Sequence, residues 1–317
     1  MMLRSGWAVI AAVCACLALG APARAADKLR VGKPFATGFD FAILQVGIDS
    51  GIFKRHDIDI DTITLSGSAK LHSGMISDSI DVALGAGTDF AFIAKGAPEK
   101  GVAAMAGAPL NIAVVVRADG PIKTLADLKG KRVGVSSLVS LTWWLGQQLS
   151  LRQGWGTDGL VFAETGSGQA SVAALVSGGI DAMVGSLEGG LMMEKAGKAR
   201  VITTFADVSP FLTHMISATD NLIAKHPDAL RRFLAGWFET VAYMKANKAE
   251  AIRLSRSVTQ LSPDVAEKVY DIEMPMYFTD GHFDPKAVAA VKEAIIATGE
   301  AKSLPPDGKL FTEQFLP

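Results

Sequence analysis

Hydroxyl, glycine and carboxylate side chains recur in four loops of this 317-residue chain, each between a predicted strand and a predicted helix. At helix starts, free backbone N–H groups and the helix dipole favour a small anion or polar group. The same side chains can also be N-caps that bond only to their own helices. Four such loops together indicate a site for a small polar ligand better than any single loop does. The loops span residues 66–68, 85–89, 136–142 and 165–168.

Aromatic side chains form a second set of candidate ligand contacts. Phe35, Phe39 and Phe41 follow the first predicted strand, and Trp143 and Trp144 begin a later helix. Adjacent residues point to different faces of a helix, so at most one tryptophan packs in the core while the other meets a cleft or solvent. For the phenylalanines, packing in the core is the alternative to ligand contact.

Charged side chains near the loops could recognise ligands of opposite sign. Asp40, Asp89 and Glu188 could bind an amine or amidine-like group. Arg117, at a predicted crossover, could pair with a carboxylate or a sulfonate. Each of these side chains can also be an ordinary surface or hinge charge.

The sequence lacks the spacings that nucleotide, metal and hydrolytic sites require. Gly166 and Gly168 are not followed by a third glycine, and no loop has the Walker spacing that ends in Lys and Ser or Thr. The five histidines show no HxxxH spacing, and there is no G-x-S-x-G elbow for a nucleophilic serine. The residues therefore predict a binding site with no metal and no cofactor, not an active site.

A repeated order of elements positions the loops. From residue 29 onward, a short β-branched run, a Gly/Ser/Thr loop and a helical pattern follow one another several times. This order is typical of βαβ units around a mostly parallel sheet, so the predicted fold class is α/β. After residue 227 only helices are predicted, over residues 228–246, 248–256, 263–274 and 285–298.

A short internal repeat predicts two lobes of similar construction. Residues 79–85 read SIDVALG and residues 179–185 read GIDAMVG, although chance similarity between two ordinary helix–turn–strand units is an alternative. The predicted first lobe is discontinuous, with residues 26–116 and 213–317, and residues 117–212 form the second. Crossovers are expected near residues 117–120 and 208–213. The ligand is then expected in a cleft at the carboxyl ends of the strands.

The N-terminus reads as a secretory signal peptide. Arg4 precedes an apolar run over residues 7–19, and Ala23-Arg24-Ala25 supplies small residues for cleavage after Ala25. A membrane anchor is the alternative, but a run of about 13 residues is shorter than the ~20 that span a bilayer. A second alternative is a lipoprotein, with a degenerate lipobox at residues 13–16. Cleavage would remove both cysteines, Cys14 and Cys16, and the mature protein is expected in the periplasm.

Composition supports a globular protein that does not bind nucleic acid. The chain is 49% hydrophobic and 20% charged, which excludes a disordered or fibrous protein. Lys and Arg number 31 against 32 Asp and Glu, and the sequence pI is about 6.5. Such a balance leaves no basic field that would attract a phosphate backbone.

Four segments in this order resemble the periplasmic solute-binding proteins of ABC importers of the sulfonate/nitrate/taurine and thiamine-pyrimidine type. They are residues 49–60 (DSGIFKRHDIDI), the twin Ile-Asp motifs, residues 125–135 (LADLKGKRVGV) and residues 274–284 (MPMYFTDGHFD). The resemblance implies a type II periplasmic binding protein fold, with two doubly wound lobes joined by a hinge. It also implies a monomer that delivers an organosulfonate, a pyrimidine-like compound or an aromatic or carboxylate ligand to an ABC permease and its ATPase.

By position, the resemblance also implies a set of ligand contacts on the cleft loops. Trp143 and Trp144 add bulk that would not be assumed of a taurine-sized site, which favours a longer or ring-bearing ligand. The alternatives are a binding protein that serves a membrane sensor, and an enzyme like the fungal thiamine-pyrimidine synthase. That synthase has a Cys-rich stretch without a counterpart in the mature chain. The predicted ligand contacts are Phe39, Asp40, Gly67, Ser68, Thr88, Asp89, Ser136, Ser137, Ser140, Thr142, Trp143 and Glu188.

Overall fold

A computed structural model of the protein describes residues 26–317, apart from residues 66, 139, 167 and 209. The predicted signal peptide, its two cysteines and the loop residues Ser66 and Ser167 lie outside the described residues. Within the described part of the chain, no helix is long and apolar enough to cross a membrane.

Strands and helices alternate through most of the described chain. The strands are β1 (Asp27–Lys33), β2 (Ile58–Thr64), β3 (Val82–Ala86), β4 (Glu99–Ala106), β5 (Ile112–Arg117), β6 (Arg132–Val135), β7 (Val161–Glu164), β8 (Ala182–Ser186), β9 (Ala199–Thr204) and β10 (His214–Thr219). The helices are α1 (Phe39–Asp49), α2 (Ile52–Arg55), α3 (Ser68–Ile76), α4 (Phe90–Ala94), α5 (Leu141–Arg152), α6 (Gln169–Val176), α7 (Leu187–Lys195), α8 (Asp220–Lys225), α9 (Pro227–Ala246), α10 (Lys248–Thr259), α11 (Pro263–Glu273), α12 (Pro285–Ala297) and α13 (Asp307–Leu310).

The strands form two five-stranded sheets of equivalent topology. The first has the order β2-β1-β3-β10-β4 and the second has the order β7-β6-β8-β5-β9. In each sheet, three parallel strands are extended by an antiparallel strand, which is β10 in the first sheet and β5 in the second. The predicted α/β fold with two doubly wound lobes is confirmed.

The predicted first crossover is wrong by one strand. The sequence analysis places residues 112–116 in the first lobe, but β5 pairs with β8 and β9 of the second sheet. The chain therefore crosses between Ala106 and Ile112, before Arg117. The apolar run over residues 101–116 conceals the change of lobe, because two buried apolar strands in succession give no sign that they belong to different sheets. The chain returns between β9 and β10, neither of which is predicted, since antiparallel strands with distant partners carry no βαβ signal.

The twin Ile-Asp motifs make equivalent contacts in the two sheets. Asp81 accepts the Arg30 N–H with Oδ2 at 2.8 Å and donates its own N–H to the Arg30 carbonyl at 2.9 Å. Asp181 makes the same two bonds with Arg132, at 2.9 Å and 2.8 Å. Asp81 thus holds β3 beside β1, and Asp181 holds β8 beside β6. The repeated motif therefore has the same structural role in both sheets.

The isoleucines of these motifs also have equivalent surroundings. A Cβ atom on Gly32 would lie 2.8 Å from Ile80 Cδ1, and one on Gly134 would lie 2.5 Å from Ile180 Cδ1. At both positions the absent glycine side chain leaves room for an isoleucine side chain that packs against the strand backbone.

The C-terminal helices complete the first lobe. Along α9, buried residues including Phe233 and Trp237 face α1 and α2, and the rings of Phe233 and Phe53 stack with centroids 5.5 Å apart. The four long helices predicted after residue 227 are confirmed as α9, α10, α11 and α12.

Candidate functional site

Helix starts from both lobes supply the candidate site. Helices α1, α3 and α6 begin after Gly38, Gly67 and Gly168, which have no side chain of their own to cap the helix. By contrast, Ser140 caps α5 and Ser186 caps α7. A glycine cap leaves the first N–H groups of a helix available to another acceptor, so the cleft presents donors from each lobe.

A hydrogen bond between Phe39 and Glu188 joins the two lobes at this cleft. The Phe39 N–H, at the start of α1, donates to Glu188 Oε1 at 2.6 Å. Glu188 lies in the first turn of α7, so the second lobe supplies the carboxylate cap that α1 lacks. Burial raises the pKa of Glu188 to about 7; the bond from Phe39 acts against this rise and the Asp40 carboxylate adds to it.

The pH dependence of stability should report the burial of Glu188, which is the main cause of its raised pKa. Because the folded-state pKa of Glu188 is raised from 4.5 to about 7, its contribution is complete below pH 4.5 and is lost as pH rises through 7. Between pH 4.5 and 8, we expect the unfolding free energy of the unsubstituted protein to fall by about 3 kcal/mol more than that of Glu188→Gln, as measured by urea denaturation. Glu164→Gln, an exposed control, should follow the unsubstituted protein. Equal pH slopes for all three proteins would contradict the assignment.

Asp40 is the centre of a buried polar cluster behind the cleft. Tyr277 Oη donates to Asp40 Oδ1 at 2.6 Å, and Asn111 Nδ2 donates to Oδ2 at 3.0 Å. His214 Nε2 lies 3.4 Å from Oδ1. Asn111 belongs to the first crossover and His214 follows the second, so this cluster fastens both crossovers to α1.

Charge in the cluster is concentrated in one ion pair. Burial opposes ionisation of Asp40, but His214 and the hydrogen bonds outweigh it and lower the pKa of the carboxyl group. Burial likewise opposes protonation of His214, and Asp40 outweighs it and raises the pKa of the imidazole. Burial, together with the charges of Asp40 and Glu188, raises the pKa of Glu273 well above its ordinary value.

Three of the predicted ligand contacts have buried side chains. Phe39 is 1% exposed, Asp40 8% and Asp89 3%. The Phe39 ring lies in the core, and Asp89 Oδ2 accepts the Ala86 N–H at 2.9 Å. The prediction of direct ligand contact by these side chains is therefore corrected: they hold the loops from below, and Phe39 reaches the cleft only through its backbone.

Asp89 also pairs with a buried histidine. His72 Nε2 lies 3.0 Å from Asp89 Oδ2, and Nδ1 lies 2.6 Å from Glu99 Oε1. The imidazole stacks on Phe92 with ring centroids 4.3 Å apart. Burial opposes its protonation, but the two carboxylates outweigh this and raise the pKa of His72 to about 9. A histidinium therefore fixes the loop that carries Thr88.

Hydroxyl groups of the second lobe form a chain of hydrogen bonds. Thr142 Oγ1 lies 3.0 Å from Ser136 Oγ and 2.9 Å from Ser140 Oγ. Ser140 Oγ also accepts the Trp143 N–H at 3.3 Å as the helix cap. Within the described residues, no hydrogen bond engages Ser137 Oγ, which leaves this hydroxyl available to a ligand.

The two adjacent tryptophans take different environments, as the sequence predicts. Trp144 is 4% exposed and stacks on Phe211 with centroids 5.3 Å apart. Trp143 is partly exposed, 6.4 Å from Phe162 by ring centroids. The remaining predicted contacts, Gly67, Ser68 and Thr88, are also partly exposed in the loops of the first lobe.

Sequence reasoning misses four residues of the buried cluster: Asn111, His214, Glu273 and Tyr277. Asn111 gives the clearest signal, as a polar residue inside the apolar run that ends at residue 116. Tyr277 gives none, because 237 positions separate it from Asp40.

Solved structures with this architecture define the class of protein, which is the periplasmic binding protein fold. The sulfonate-binding protein SsuA of Escherichia coli has a TM-score of 0.73 and 18% identity, and the alignment covers 90% of this chain and 92% of that one. The SsuA protein of Methylobacillus flagellatus KT has a TM-score of 0.74 and 16% identity, covering 92% and 93%. An enzyme shares the fold as well: DSZB in complex with biphenyl-2-sulfinic acid has a TM-score of 0.69 and 14% identity, covering 92% and 97%.

The chain belongs to the family described as NMT1/THI5 like, which it matches over residues 38–251. A Haemophilus influenzae protein assigned by name to thiamine biosynthesis is 28% identical over 121 residues, which are 38% of each chain. The resemblance inferred from the sequence motifs is thereby confirmed.

Proposed function

We propose that this protein is the substrate-binding component of an ABC importer and captures a small organic solute between its lobes. The observation that carries the proposal is the pair of equivalent sheets joined by two crossovers, with the helix starts of α3 in the first lobe and α6 in the second lobe left without a side-chain cap. The fold shared with the SsuA proteins supports it. We further propose that the protein acts in the periplasm as a monomer, after cleavage at Ala25, with a permease and an ATPase as partners.

Ligand chemistry follows from the groups at the cleft. The N–H groups of α3 and α6, together with Ser137, suit an anionic or carbonyl oxygen. The partly exposed Trp143 suits a ring or an alkyl chain. An organosulfonate, a pyrimidine-like compound or an aromatic carboxylate meets both requirements, with Gly67, Ser68 and Thr88 as further contacts from the first lobe.

Closure of the lobes is the proposed mechanism. A ligand that touches the helix starts of both lobes binds the closed arrangement more tightly than the open one, and this difference drives closure. No bond is made or broken. In the described part of the cleft, no serine or threonine hydroxyl is hydrogen-bonded to an imidazole, so none has the adjacent base that activates a nucleophile.

A thermal-shift screen tests the proposed function. The protein from Ala26 to Pro317 is combined with sulfonates, nitrate, pyrimidines, aromatic carboxylates and amino acids. A ligand at about a hundred times its Kd should add about 2.7 kcal/mol, or about 5 °C in Tm. We expect one chemical class to respond, and Trp143→Ala or Ser137→Ala to remove the response. Trp155→Ala, away from the cleft loops, is the control. A response that survives both cleft variants would place the ligand elsewhere.

A further inference from the structure

A second cavity, of about 760 Å³, lies against the two crossovers. This hinge cavity has a volume in the range of small-molecule sites. None of the uncapped helix starts of the cleft lines it. Its walls come from the first crossover, from the return crossover and from the segment before α12; they include Gly107, Ala108, Ala206, Phe211, Phe278 and Phe283.

The hinge cavity combines an aromatic interior with an acidic rim. Phe211, Phe278 and Phe283 contribute rings to its walls, and the carboxylates of Asp280 and Asp284 are exposed at its edge. Among the described residues that line the cavity, none is a lysine or an arginine; His282 also lines it, and the Lys245 ammonium interacts with Asp280 from outside the lining. An apolar ring would bury against the phenylalanines, and a positive charge would be attracted to the rim.

The walls tie this cavity to the motion of the lobes. Rotation of one lobe against the other changes the backbone of the segments between β4 and β5 and between β9 and β10, and both segments line the cavity. The third wall stays with the first lobe, because the Phe278 N–H donates to the Met105 carbonyl at 3.1 Å and the Gly107 N–H donates to the Met276 carbonyl at 2.8 Å. Opening or closing therefore changes the shape of the cavity.

We propose that the hinge cavity is a second ligand site, which takes a small aromatic ammonium compound and whose occupancy is coupled to the arrangement of the lobes. The hinge cavity is a different place from the interlobe cleft, because none of the helix starts of the cleft lines it. A compound that binds the open and closed forms with different affinities changes the affinity of the cleft for its solute. By reciprocity, the solute changes the affinity of the hinge cavity for the compound by the same factor.

Three indole compounds of similar size test the charge requirement by isothermal titration calorimetry. Tryptamine is a cation, tryptophol is neutral and indole-3-acetate is an anion. We expect tryptamine to bind about threefold more tightly than tryptophol, as is typical of a partly exposed charge pair, and indole-3-acetate to bind more weakly than both. Asp280→Asn, which leaves Asp284 in place, should lower the tryptamine affinity toward that of tryptophol, whereas Asp158→Asn, an exposed acid elsewhere, should change nothing. Equal affinities for all three compounds would overturn the proposal.

Two further substitutions locate the site. Ala206→Trp, at an exposed position of the cavity wall, should lower tryptamine affinity about tenfold or more by filling the space. Trp143→Ala, in the cleft, should leave tryptamine affinity unchanged. If Trp143→Ala lowered the tryptamine affinity and Ala206→Trp did not, tryptamine would bind in the cleft, and the second site would be refuted.

Small-angle scattering tests the coupling to the lobes. The radius of gyration should change when tryptamine saturates the protein; an unchanged radius would refute the coupling.

Discussion

Replacing Asp40 by alanine is expected to lower the free energy of unfolding by about 3–5 kcal/mol, the cost of removing one partner of a buried ion pair. The substitution leaves the His214 imidazole buried without the carboxylate that does most to favour its charged form. It also removes the acceptor of the Tyr277 hydroxyl and of the Asn111 amide, bonds of 2.6 Å and 3.0 Å. Since those partners lie on separate segments, the loss loosens both crossovers at once.

Urea denaturation monitored by circular dichroism checks this expectation. Asp59→Ala, at an exposed position of β2, is the matched control and should cost less than about 0.5 kcal/mol. Asp40→Asn keeps an acceptor for Tyr277 but removes the charge, so it should fall between the two and remain measurable if the alanine variant does not fold. A cost for Asp40→Ala within 1 kcal/mol of the control would contradict the central role of the cluster.

Local patterns allowed the cleft loops to be predicted, but not the buried cluster. Gly67, Ser137 and Glu188 lie where strands end and helices begin, and this order is visible in any window of about 15 residues. Asp40 is predicted to contact the ligand because it too follows a strand and lies at the start of a helix. Its burial depends on Tyr277 and His214, which are brought to it by strand pairing across more than 170 positions. A sequence contains no local record of such pairs.

The first crossover shows the same limit. Residues 101–116 were interpreted as one lobe because both β4 and β5 are buried on both faces and therefore apolar throughout. Pro109 and Asn111 between them were the available signal, since a polar residue at a break in a buried run needs a partner. The partner is Asp40, so the boundary and the cluster are one feature of the structure.

Raising the pH from 6.5 to 9.5 is expected to remove about 3 kcal/mol of unfolding free energy through His72 alone. The pKa of His72 is about 9 in the folded protein against an ordinary value of 6.5, so its contribution is complete below pH 6.5 and is lost as pH rises through 9. The cause is the pair of carboxylates, Asp89 and Glu99, which flank the imidazole at 3.0 Å and 2.6 Å. Deprotonation removes the cation that lies between the two carboxylates.

His72→Phe isolates this contribution, because a phenyl ring retains the stacking on Phe92 while losing the charge. The variant should be about 3–5 kcal/mol less stable than the unsubstituted protein at pH 6, and it should lose the fall in stability between pH 6.5 and 9.5. His226→Gln, an exposed histidine, is the control and should retain both the stability and its pH profile. The comparison requires urea denaturation of the three proteins at several pH values. If His72→Phe still lost stability between pH 6.5 and 9.5, the loss would not come from His72. The assignment of His72 as the charge that holds the loop of Thr88 would then be wrong.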